Sequence, residues 1–175
     1  MYLETENLII RDFKRTDDKD FFELAQHPDV GPNCNWNIHP NIYHTRAVIR
    51  DYKKKKDTFA ICLKSGKLIG SIQICKDLMR QETYEIGYCI NPLYWNNNYA
   101  TEACYKIISY YFDFVNCYTF VALTKEDNLK SMRVLEKLGF IKEGILYNYK
   151  KDINYKYMNC VSFSLSKKNF KRKEF

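Results

Sequence analysis

Tyr94 to Ala103 reads YWNNNYATEA, three asparagines in a row followed by small residues at the head of an amphipathic segment. Asparagine is the non-glycine residue most at ease at positive φ, and Ala100 and Thr101 leave room beside a helix start. Set between a strand and a helix, such a turn aims several main-chain N–H groups at one point near the positive end of the helix dipole, an arrangement that binds phosphate. On these residues alone a second reading stays open, a plain asparagine-rich turn that happens to precede a helix.

The flanking periodicity supplies both the strand and the helix. Tyr84 to Ile90 alternates as a strand, and Pro92 punctuates its end. From about Ala100, Cys104, Ile107, Ile108, Tyr111 and Phe112 recur on one helical stripe, with Glu102, Lys106, Ser109 and Asp113 on the other. Upstream, Thr58 to Leu63 and Lys67 to Lys76 are apolar runs joined at Ser65-Gly66, an antiparallel hairpin. Downstream come a strand over Tyr118 to Thr124 and a helix over Asn128 to Leu138 stopped by Gly139. Strands over Ile141 to Lys150 and Lys156 to Ser164 close the chain.

The N-terminal third opens with a strand at Leu8 to Arg11 and a helix capped by Thr16 or Asp17 and running to about Gln26, stopped by His27-Pro28. Val30 to His39 reads as loop and Asn41 to Lys56 as a second helix, with Ile42, Ala47, Val48, Ile49 and Tyr52 available for its inner face. The expected class is α+β in a single domain over residues 1–175, with a mixed central sheet of about seven strands flanked by about four helices.

Bulk composition narrows the function. The 175 residues carry 46% hydrophobic content, enough for one core without staples, and no apolar run approaches the ~20 residues of a membrane span. MYLETENLII lacks a signal-peptide pattern, so a cytoplasmic protein is expected. The seven cysteines stand singly, without a CxxC pair, and read as reduced core residues; no disulfide framework or metal site is expected. The net charge of +7 comes from Lys53 to Lys56 and a basic tail over 167–175, so the remainder is near neutral and nucleic acid is not the expected partner.

EIGYCINPLYWNNNYATEA (Glu85 to Ala103), followed by NLKSMRVLEKLGF (Asn128 to Phe140), resembles the two acetyl-CoA motifs of the GNAT superfamily of N-acetyltransferases. Among its branches the chain is most similar to the ribosomal-protein N-terminal acetyltransferases. The likeness extends to Leu3–Phe13 at the start and Tyr155–Phe170 at the end. In the family the pyrophosphate loop has Arg or Gln, two residues, Gly, one residue, then Gly or Ala. Trp95, Asn98 and Ala100 stand at those three positions, and the first two depart from the pattern.

The resemblance implies acetyl-CoA as co-substrate, with its pyrophosphate at Trp95, Asn96, Asn97, Asn98, Tyr99, Ala100 and Thr101. It implies that the pantetheine arm pairs with main-chain groups around Tyr88, Cys89 and Ile90, a role that a free strand edge suits physically. Asn128 reads both as a helix N-cap and as a cofactor partner. Many relatives place a tyrosine where Leu135 stands, and the resemblance gives the proton-donor role to Ser131 instead. Cys89 is not expected to be a nucleophile, since no histidine lies near it in sequence.

Glu85 is the leading candidate base, sharing a strand face with Gly87 and Cys89; an ordinary half-exposed strand carboxylate is the competing reading. Tyr147, Tyr149 and Asp152 are weaker candidates, and His39 and His44 with Trp36 and Asn37 could line an acceptor cleft. The implied acceptor is an amine, either a protein or peptide N-terminus or a small polyamine or aminoglycoside, with a homodimer among the admissible assemblies. Two other classes stay open: a non-catalytic acyl-CoA-binding regulator, suggested by the altered loop, and an RNA- or ribosome-binding protein, suggested by the basic patches.

Overall fold

The computed structural model describes residues 1–172, so the last three residues of the expected basic tail lie outside the described residues. Eight strands form one sheet in the order β1-β2-β3-β4-β5-β6-β8-β7. They are β1 Tyr2–Glu4, β2 Leu8–Asp12, β3 Thr58–Leu63, β4 Leu68–Lys76, β5 Thr83–Ile90, β6 Thr119–Lys125, β7 Ile141–Lys151 and β8 Tyr157–Ser166. The helices are α1 Asp18–Ala25, α2 Ile42–Lys55, α3 Tyr99–Phe114 and α4 Leu129–Leu138. Each neighbouring pair is antiparallel except β5–β6, which α3 connects in parallel, as a helical crossover requires.

One more strand is present than the sequence pattern indicated. β1 pairs with β2 through Tyr2–Arg11, Leu3–Ile10 and Glu4–Ile9, across a turn in which the Leu8 main-chain N–H donates to Thr5 Oγ1 at 2.9 Å. Three residues are too few to display a period of two. α1 starts at Asp18 with Asp17 at its N-cap position, one of the two expected caps; Asp17 also ends a 3-10 turn, with its carboxylate paired to Arg11 at 2.8 Å from both guanidinium nitrogens.

Strand alternation divides the apolar residues between two faces. Phe59, Ile61, Ile69, Ile86 and Ile90 join Ala103, Cys104, Ile107, Ile108 and Leu135 beneath α3 and α4. Ala60, Cys62, Leu68 and Cys89 join Phe13, Phe21, Leu24 and Ile49 beneath α1 and α2. On α2 the buried positions are Thr45 and Ile49, while Ala47, expected inside, faces out.

Glu102 corrects the expected polar stripe of α3: it is 5% exposed and accepts from the Asn7 main-chain N–H at 3.0 Å and Asn7 Nδ2 at 3.2 Å. It thereby ties the β1–β2 turn to the first turn of α3. A Cβ on Gly70 would lie 2.3 Å from Cys89 O, so the absent side chain lets β4 and β5 approach beside the cleft that Ser71 and Cys89 line. Gly139 closes α4 at φ 88°, with Phe140 N–H donating to Leu135 O at 3.0 Å, the glycine stop expected from the sequence.

Candidate active site

β5 and β6 pair only through Thr83–Thr119, Tyr84–Phe120 and Glu85–Val121. Beyond that point β5 keeps β4 and β6 keeps β8, and the two inner edges diverge. The opening is a cleft of about 610 Å³, within the range of small-molecule sites. Residues from β5, the β5–α3 loop, β6, α4 and the 33–36 segment line it.

The alternation of main-chain direction decides which β5 groups face the opening. Thr83 O accepts from Asp77 N–H and Asn91 N–H donates to Ile69 O, both on the β4 side, whereas Glu82 O accepts from Tyr118 and Thr119 towards β6. The continuous β4–β5 register carries this alternation to Ile90, so odd-numbered residues turn to β4 and even-numbered ones to the cleft. Cys89, expected to offer its main chain to a ligand, is therefore committed to β4. Ile90 O accepts from Trp95 Nε1 at 2.8 Å. The Glu85–Val121 pairing ends the β6 ladder on the Ile86 N–H, so the Ile86 C=O and the Tyr88 main chain are left facing the cleft, with Cys34 Sγ 3.9 Å from Tyr88 O; Ile86 was not singled out from the sequence.

Each asparagine of the loop has its own task. Asn91 caps the Pro92–Tyr94 turn, accepting from Leu93 N–H at 3.1 Å. Asn96 and Asn98 both take positive φ, 64° and 59°, so Asn98 adopts the left-handed conformation that glycine takes most freely. Asn97 Nδ2 braces the turn by donating to Tyr94 O and Trp95 O at 3.2 and 3.0 Å. Asn98 Oδ1 accepts from Lys137 Nζ at 2.8 Å, which holds its side chain towards α4. The Asn98 side chain does not cap the start of α3, whose first N–H groups lack intrahelical acceptors. Ala100 and Thr101 line the cleft beside them.

α4 brings cations to the same place. Lys130 Nζ lies 3.8 Å from the centroid of the Trp95 ring, a close cation–π contact. Lys130, Arg133 and Lys137 all border the cleft. None of the three was singled out from the sequence, yet their spacing of three and four residues places them on one stripe. That stripe, adjoining the asparagine turn, is the signal that could have found them.

Asn128 Oδ1 accepts from Ser131 N–H at 3.2 Å, so the capping role is present and Nδ2 is the donor left to offer a ligand. The Ser131 hydroxyl lies 3.1 Å from Tyr88 Oη, which is also 3.1 Å from Ser131 O. Burial holds the Tyr88 phenol far above its ordinary pKa, and it stays protonated. The sequence suggested only the main chain of Tyr88; its hydroxyl was missed because the partner lies 43 residues away.

On the opposite face of β5, Glu85 is exposed at the cleft and shares that face with Gly87 and Cys89, as the alternation indicated. Three residues separate it from Tyr88, about 10 Å along a strand, so a proton path from that carboxylate to the Tyr88 level needs a bridging water. Asp152 is a turn residue. Its carboxylate accepts from Asn154 and Lys156 main-chain N–H groups at 2.8 and 2.9 Å, which lower its pKa and leave it a weak base. Tyr147 and Tyr149 are exposed on β7 and do not line the main cleft.

Of the histidines, His39 is a core residue rather than a cleft residue. It is 6% exposed, with Nδ1 2.9 Å from Thr45 Oγ1 and its ring against Phe21, Trp36 and His44. Burial, with the neighbouring His44, pulls its pKa from 6.5 down to about 4. A histidine held neutral when folded and free to protonate when unfolded adds stability above about pH 6.5 that is lost as pH falls towards 4. Chemical denaturation at about pH 7 and about pH 4.5 is expected to show an acid loss about 1–3 kcal/mol larger in the wild type than in His39→Gln. Equal losses in the two proteins would contradict this assignment.

Among the described residues, no group of three or more His, Cys, Asp or Glu side chains is placed to hold a metal ion, and no helix is long and apolar enough to cross a membrane. The family model described as "Acetyltransferase (GNAT) domain" matches residues 7–141. The chain is 30% identical over 145 residues to the uncharacterized N-acetyltransferase YnaD of Bacillus subtilis, covering 82% of this chain and 85% of that protein. Its fold is similar to that of a GNAT-family acetyltransferase from Bacillus anthracis, with a TM-score of 0.88, 26% identity and coverage of 96% and 99% of the two chains. It is also similar in fold to spermidine N-acetyltransferase from Vibrio cholerae in complex with CoA and spermine, with a TM-score of 0.78, 16% identity and coverage of 93% and 97%.

Proposed function

The chain belongs to the acetyltransferase (GNAT) family, and from that membership we propose that it transfers the acetyl group of acetyl-CoA directly to an amine. The divergence of β5 from β6 beside the start of α3 carries this reading. It supplies a main-chain edge for the two amides of pantetheine and, at its end, a helix N-terminus for the pyrophosphate. Positive φ at Asn96 and Asn98 supports the reading, because the turn takes this conformation without glycine. Lys130, Arg133 and Lys137 add positive charge for the cofactor phosphates.

Acetyl-CoA supplies a thioester whose carbonyl is the electrophile. Ile86 and Tyr88 main-chain groups orient it, and a main-chain N–H polarises its oxygen. Tyr88 Oη donates to Ser131 O or Oγ, leaving the Ser131 hydroxyl to protonate the departing thiolate. Glu85 receives the acceptor's proton through water. Amines of pKa about 10 need that help, whereas α-amines near pKa ~8 need little. Glu85→Gln is accordingly expected to slow acetylation of alkyl amines about tenfold or more at neutral pH, with recovery as pH rises, and to spare peptide α-amines. Wild-type rates with polyamines at neutral pH would reduce Glu85 to a solvated strand residue.

The same reading takes residues 1–175 as one catalytic domain acting in the cytoplasm, alone or as a homodimer. Its acceptor is a peptide or protein α-amine, by resemblance to the ribosomal-protein branch, or a small polyamine or aminoglycoside. Thiol release from acetyl-CoA against a panel of these amines, with the product identified by mass, tests the proposal. Amine-dependent release supports it. Coenzyme A binding without release for any amine would instead mark a non-catalytic acyl-CoA-binding protein. Salt-sensitive RNA binding that survives changes in the 96–101 loop would favour the RNA-binding class.

A further inference from the structure

Two cysteines, Cys34 and Cys89, line the same cleft, and the acetyl transfer proposed above uses neither thiol. Cys89 Sγ lies 3.1 Å from Ser71 Oγ, in the wall that β4 and β5 share. Cys34, an exposed residue, ends the 3-10 turn Pro32–Cys34, and its thiol donates to Tyr88 O at 3.9 Å, the carbonyl joined directly to the Cys89 nitrogen. The other five cysteines are buried or half-buried. Donation from Cys34 and Ser71 draws the Cys89 thiol below its ordinary pKa, while Cys34, keeping its own proton, is pushed well above it. The adjoining Asn35 has a buried Oδ1 with no hydrogen-bond partner among the described residues. Such an orphan costs about 1–3 kcal/mol, so the segment carrying Cys34 has a local reason to rearrange.

We propose that Cys34 and Cys89 form a thiol-modification site that reacts with a low-molecular-weight disulfide and closes to an intramolecular disulfide. The Cys89 thiolate attacks one sulfur of the small disulfide, whose S–S bond breaks; a Cys89–S–S–R bond forms and RS⁻ leaves. Cys34 gives its proton to the expelled thiolate and attacks the Cys89 sulfur, forming the Cys34–Cys89 bond and expelling the second RS⁻, which takes a proton from solvent. Two cysteines are oxidised and one small disulfide is reduced to two thiols. The crosslink pins the 34–36 segment to β5 beside Tyr88, where the thioester end of the co-substrate lies in the proposed function, and so blocks the site reversibly.

The test is to incubate the reduced full-length protein with hydroxyethyl disulfide in the absence of acetyl-CoA, then read intact mass and a peptide map. The expected product has lost two hydrogens, carries a linked Cys34–Cys89 peptide, and reverts with dithiothreitol; Cys34→Ser yields no such link. Coenzyme A affinity of the linked protein is expected to fall at least tenfold and to recover on reduction. A map without that link, a link to any other cysteine, a stable mixed disulfide on both residues, or a linked protein with unaltered coenzyme A affinity would overturn the proposal. The peptide map needs no acceptor amine, so its outcome is independent of whether acetyl transfer is observed.

Discussion

Ala100→Glu is expected to weaken acetyl-CoA binding at least a hundredfold while leaving thermal stability unchanged or slightly raised. Ala100 stands in the first turn of α3 and lines the cleft. A carboxylate there complements the helix dipole and adds about 0.3–1 kcal/mol to the fold. The same charge is set against a pyrophosphate that the account places at that helix start. Two like charges about 4 Å apart repel by about 4 kcal/mol at an effective dielectric of about 20, and a hundredfold loss needs only about 2.8 kcal/mol. Calorimetric titration with acetyl-CoA, paired with a melting curve, separates the two effects. Affinity within threefold of the wild type would remove the pyrophosphate from this loop.

The second large effect is expected at Ser131. Ser131→Ala should lower kcat about 10- to 100-fold with KM for acetyl-CoA within about threefold, because the lost hydroxyl acts on the leaving thiolate and not on binding. The magnitude sits at the low end for a general acid, since a thiol of pKa roughly 8.5 leaves fairly well unaided. Asn128 still caps α4 in this variant, so the helix start survives. Tyr88→Phe removes the hydroxyl that orients Ser131 and should cost about tenfold. The double variant should be no slower than Ser131→Ala, as expected when two groups act through one. An unchanged kcat in Ser131→Ala would mean that the thiolate departs without help from the protein.

Local patterns made most of this fold legible. The Ser65-Gly66 hairpin, the stripe from Cys104 to Phe112 and the glycine stop at Gly139 each follow from neighbours a few residues apart, and each stands where the sequence put it. β1 escaped because three residues carry no period, and Glu102 was misjudged because its partner Asn7 is 95 residues away. The site followed the same division. The asparagine turn and Ser131 are local motifs and were visible, whereas the Tyr88–Ser131 and Cys34–Cys89 pairings exist only once distant elements meet. Main-chain direction is also decided by register, which turns the Cys89 N–H and C=O groups to β4 and cannot be read from Tyr84 to Ile90 alone.

The most direct test of the central claim is an amide chemical-shift titration of the wild-type protein with acetyl-CoA. Changes concentrated at Ile86, Tyr88 and the first turn of α3, with the Cys89 amide little affected, are the predicted result. No saturable change at millimolar acetyl-CoA, or changes confined to residues outside the β5–β6 opening, would contradict the account.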